Sequence, residues 1–69
     1  MTSLPVVKFA EPETDEECLV LLRAETGRVS IALSRRSDGD IEVVMPVSVA
    51  KELHAHLARA ISIGDAITR

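Results

Sequence analysis

The sequence predicts an α+β domain: a three-stranded antiparallel β-meander (β-β-β-α) with one C-terminal helix packed on one face. Three observations carry this. From residue 18 to 45 the apolar side chains come in short blocks or strict alternation, the period of extended chain. Two triplets, Glu25-Thr26-Gly27 and Ser37-Asp38-Gly39, end in glycine and separate those blocks at hairpin spacing. From Val49 to Ile63 the apolar period lengthens to that of a helix.

The N-terminal end offers one short apolar patch, Leu4-Pro5-Val6-Val7-Lys8-Phe9. Val6, Val7 and Phe9 could add an edge strand or lie across a sheet face, with Pro5 opposing a regular strand. Glu11 to Glu17 then holds five acids (Glu11, Glu13, Asp15, Glu16, Glu17) and no base, together with Pro12. Such a stretch reads as a solvated linker. The chain therefore divides into residues 1–17, a mobile acidic N-terminal segment, and residues 18–69, the β-β-β-α domain.

Cys18 to Ala24 is nearly continuous in apolar residues and reads as a strand buried on both faces. Arg28 to Arg35 alternates, with Val29, Ile31 and Leu33 against Arg28, Ser30, Ala32 and Ser34, as a half-buried central strand does. Ile41 to Met45 is the third strand, ended by Pro46. If both glycine triplets are three-residue loops, Ala24 faces Arg28 and Arg36 faces Asp40. One face then collects Leu19, Leu21, Val29, Ile31, Leu33, Ile41, Val43 and Met45, and the helix covers it. The other presents Cys18, Val20, Leu22, Ala32 and Val44. A slip of one residue in the first hairpin would exchange Leu19 and Leu21 for Val20 and Leu22.

Ser48 is suited to cap the helix, and Gly64 to terminate it, leaving Asp65 to Arg69 as a tail. Val49, Ala50, Leu53, Leu57, Ala60 and Ile61 share one arc of the helix. Lys51, Glu52, Ala55, Ala58, Arg59 and Ser62 lie opposite.

A chain of 69 residues with hydrophobic content of 46% and a single aromatic, Phe9, builds its core from Val, Ile, Leu and Ala. A domain of this size hides only about 60% of its unfolded surface and is marginal alone, so a second chain would supply useful burial. Cys18, the one cysteine, cannot form an internal disulfide. No signal-peptide pattern or membrane-length apolar run occurs, which points to a cytoplasmic protein without membrane contact. Net charge is −3, and outside Glu11 to Glu17 the balance is eight bases against six acids, too even to imply nucleic acid or membrane.

Catalytic and metal chemistry find little support. His54 and His56 are two apart, so on a helix they point about 200° from each other and cannot share an ion. Cys18 stands beside Glu16 and Glu17, whose charge disfavours a thiolate. Each glycine has a turn or cap to serve, and no phosphate loop, rigid carboxylate pair, cofactor site or small-molecule pocket is evident. Arg23, Arg28, Arg35 and Arg36 form the one cationic concentration. They allow an antitoxin-like or regulatory nucleic-acid-binding reading, opposed by the acidic stretch and the lack of stacking residues.

The strand order, the Pro46 junction and the pattern Ala50-Lys51-x-Leu53-x-x-x-Leu57 resemble small bacterial families of unknown function in which a meander feeds a C-terminal helix. That resemblance implies a fold type and no activity. The functional expectation is a non-enzymatic protein-interaction module. It would pair as a homodimer, or with another protein, through a sheet edge or the face opposite the helix, at Cys18, Val20, Leu22, Ala32 and Val44.

Overall fold

Strand β3 (Glu17–Glu25) is the axis of the sheet in the computed structural model, which describes residues 1–68. On one side it pairs antiparallel with β4 (Arg28–Arg35), which pairs in turn with β5 (Gly39–Pro46). On the other side it receives two short strands, β1 (Thr2–Ser3) and β2 (Val7–Ala10). The helix α1 (Val47–Thr68) follows β5 without a linking residue. The α+β class, the antiparallel sheet and the C-terminal helix stand as expected, but the sheet has five strands and not three.

The two extra strands lie inside residues 1–17, so the sheet begins well before the boundary expected at residue 18. They form one edge strand with a break. Thr2 stands opposite Ala24 and Val7 opposite Val20, while Leu4 N–H donates to Leu22 O at 2.9 Å. Pro5 and Val6 are therefore left against Leu21 alone, the extra residue of a bulge. Proline is tolerated there because an edge strand has an N–H position facing away from its partner. Val7 and Phe9 extend the sheet sideways and do not fold over it.

The acidic stretch is a turn with internal bonds. Glu11 N–H donates to Glu16 O at 2.9 Å, and Asp15 N–H to Glu11 O at 2.7 Å. Asp15 takes φ 61, a left-handed conformation that its short polar side chain tolerates.

The first hairpin departs from expectation by one residue. Glu25 pairs with Arg28 and Ala24 with Val29, so the connection is the two residues Thr26-Gly27, with Gly27 at φ 76. The second connection has three residues, Arg36-Ser37-Asp38, with Arg35 opposite Gly39. It shifts β5 by two positions along β4 and so leaves the faces unchanged, whereas the one-residue slip in the first hairpin turns β3 over.

The helix runs past both of its expected ends. Ser48 lies within its first turn, and the chain continues through Gly64 as helix, so residues 65–68 are not a tail; Arg69 lies outside the described residues. A helical glycine costs about 1 kcal/mol relative to alanine, which the continuing backbone bonds of the last turn outweigh.

The largest departure is that α1 does not cover the sheet. It approaches only β4 and β5, and among its described side chains only Val47 and Ala50 are even half-buried. Its apolar stripe is open, with Leu53 at 42% exposure and Leu57 at 54%. The radius of gyration is 13.7 Å, against about 11 Å for a well-packed domain of this length. Cys18 is the one apolar residue that is buried among the described residues, and none of their side chains is completely enclosed.

Candidate interaction surface

Residues opposed across an antiparallel ladder share a face, so the register assigns every side chain. One face takes Cys18, Val20, Leu22 and Ala24 from β3, then Val29, Ile31 and Leu33 from β4. Ile41, Val43 and Met45 join them from β5, and Val7 and Phe9 from β2. Apart from Arg35 at its far end, this is a continuous apolar surface across four strands. The reverse face takes Leu19, Leu21 and Arg23, then Ser30, Ala32 and Ser34, then Asp40, Glu42 and Val44. The five residues expected to form one interface are thereby split. Cys18, Val20 and Leu22 stand on the apolar face, and Ala32 and Val44 on the reverse.

The two faces differ in how they are satisfied. On the reverse face, Glu42 Oε2 accepts from buried Ser30 Oγ at 3.1 Å and from Arg23 Nη1 at 3.1 Å. This triad stitches β3, β4 and β5 together. Both partners of its ion pair are more than a third exposed, so it is worth at most about 1 kcal/mol. The apolar face has no such closure. Leu33, Ile41 and Val43 remain 48%, 61% and 51% exposed. At the end nearer the second turn the face dips into an open cleft of ≈ 480 Å³, its floor formed by Phe9, Cys18, Val20, Leu33 and Ile41.

The rim of that cleft is charged and internally paired. Arg35 Nη1 donates to Glu11 at 3.2 and 3.3 Å, its Nε lies 3.5 Å from Glu16, and Nη2 bonds Asp38. Ser37 Oγ donates to Glu16 Oε2 at 2.9 Å. The acidic stretch thus supplies counter-charges that hold the β2–β3 connection against the second turn. Sequence reasoning missed this role for Glu11 and Glu16. The available signal was an Arg35-Arg36 pair in a chain that also carries the acid-rich stretch Glu11 to Glu17, but the two lie far apart in sequence and nothing local says that they meet.

The four arginines do not line one ribbon. Arg23 and Arg28 sit on the reverse face, where Arg28 lies 3.6 Å from Glu25. Arg35 sits on the apolar side among its carboxylates, and Arg36 is in the second turn. His56 Nε2 is 3.9 Å from Glu52 on an exposed helix face. Cys18 Sγ donates to Glu16 O at 3.6 Å, the thiol being buried against the acidic turn. Among the described residues no group of three or more His, Cys, Asp or Glu is placed to hold a metal, and no helix is long and apolar enough to cross a membrane.

No protein-family model, curated protein or solved structure matches this chain.

Proposed function

We propose that the chain is a non-enzymatic interaction module that self-associates through its apolar sheet face and the apolar stripe of α1. The observation that carries this reading is surface area. The chain exposes 5724 Å². A folded monomer of 7.5 kDa is expected to expose roughly 4,250 Å², so the surplus is about 1,500 Å². Leu33, Ile41 and Val43 on the sheet and Leu53, Leu57 and Ile61 on the helix are among the exposed side chains, and a contiguous apolar patch marks a contact. Two chains would hide about 3,000 Å² together, within the range of obligate homodimers.

Light scattering coupled to size exclusion, from about 1 to 200 μM, tests the reading. The expected result is a species of 15 kDa (2 × 7.5 kDa) or a larger closed oligomer that persists on dilution. A single 7.5 kDa species throughout would overturn it.

A further inference from the structure

Resting on that self-association, we infer that two copies exchange helices: α1 of each chain seats its apolar stripe on the apolar sheet face of the other. Three features of the structure favour this arrangement. The first is that both halves of a helix-on-sheet contact are present and empty in the same chain. Face-to-face stacking of two sheets would leave the helix stripes bare. Pairing the helices alone would leave the sheet faces bare, and adding strands at β5 would leave both. Reciprocal exchange covers both surfaces with one two-fold operation, and each chain contributes the same two patches.

The second feature is the junction. No residue separates β5 from α1, Pro46 restricts φ at the last strand position, and Val47 N–H donates to Gly27 O at 3.2 Å. That bond ties the root of the helix to the first hairpin turn. Folding α1 back over its own sheet requires slack that this junction lacks, whereas a partner's helix can arrive from any direction.

The third is length. Val49 to Ile61 spans about 18 Å of helix at 1.5 Å per residue. The apolar face runs about 14 Å along β5, from Ile41 to Met45, and about 20 Å along β3, from Cys18 to Ala24, at roughly 3.4 Å per residue. The stripe and the face match. Lys51, Glu52 and Arg59, on the far side of the helix, would stay in water.

The test places the two halves of the contact on separate chains. In a Cys18→Ala background, one chain carries Leu57→Cys and the other carries Leu33→Cys, Ile41→Cys or Val43→Cys in turn. The mixture is treated with a short bis-maleimide, and linked peptides are read by mass spectrometry. Exchange predicts a covalent 15 kDa (2 × 7.5 kDa) product joining position 57 to the sheet positions, although neither chain holds both. Double-cysteine chains that link only within themselves and run at 7.5 kDa would overturn the exchange, since the helix would then cover its own sheet. A non-covalent dimer with no link from position 57 to the sheet in either experiment would overturn the exchange and leave self-association standing. A 7.5 kDa species with no link in either would remove both.

Discussion

The two faces of this sheet are built from the same three long strands and reach opposite solutions. On the reverse face, Ser30, Glu42 and Arg23 satisfy one another across β3, β4 and β5, and the surface can remain in water. On the other, Val20, Leu22, Ile31, Leu33, Ile41 and Val43 lie side by side with no polar group among them, and Leu33, Ile41 and Val43 remain exposed. The lesson is that alternation in a strand says how its residues divide between faces, but the summed character of each face depends on how the strands are phased.

The sharpest way to break the contrast is to place a charge on each face in turn. Leu33→Asp should remove the dimer by light scattering. Burying an unpaired carboxylate in an apolar contact raises Kd by about 100-fold or more, on the order of 3 kcal/mol. Val44→Asp, on the reverse face, should leave the mass unchanged and shift stability by at most about 0.5 kcal/mol. If both variants dissociate equally, or neither does, the faces are not distinct in the way described. Leu57→Asp on the exposed helix should reproduce the Leu33→Asp result, with circular dichroism showing that helix persists.

A smaller effect is expected inside the polar triad. Ser30→Ala removes one buried hydrogen bond to Glu42, which keeps Arg23 and solvent as partners, so urea unfolding should show a loss of about 1 kcal/mol. The oligomer's mass at high concentration should not change. An effect of similar size and opposite sign lies in α1. Outside its own stretch of helix, a Cβ at Gly64 meets none of the described residues within 4 Å, so Gly64→Ala should gain up to about 1 kcal/mol of helix propensity, visible as a higher thermal midpoint. Because Gly64 falls within the arc of the apolar stripe, a weaker dimer in Gly64→Ala would mean that a partner approaches the backbone there.

Much of the local structure was legible. The β4 bounds, Arg28–Arg35, coincide with the alternating run, and β3 and β5 each extend their apolar runs by one or two residues. These elements are declared by period and punctuation, and both are properties of neighbours along the chain. Of the short edge strands, Val7–Ala10 is one of the two readings that the apolar patch allows, and a single short patch after Pro5 does not choose between them. Thr2–Ser3 carries no apolar pattern and was not legible. What makes them strands is the free edge of β3, whose unpaired backbone groups accept any extended segment that reaches them.

Of the candidate surface, the residue types were visible but their grouping was not. Counting three loop residues at Glu25-Thr26-Gly27 groups Val20 and Leu22 with Ala32 and Val44 on one face, and the structure uses two. A glycine at positive φ serves either loop, so turn chemistry barely separates them. The phase that wins sets Val20 against Leu33 and Leu22 against Ile31, so that the large side chains meet one another.

By itself, then, the sequence determined the three long strands and the helix, that Cys18 forms no disulfide within the chain, and that the core must be aliphatic. Only the tertiary structure decided the phase of β3, the meeting of Arg35 with Glu11 and Glu16, and the open position of α1. The reason is range. Periodicity is set by contacts a few residues apart, whereas register and the seating of a helix follow from which distant surfaces find each other. In this chain the apolar sheet face and the apolar stripe of the helix are both present and are not seated on each other.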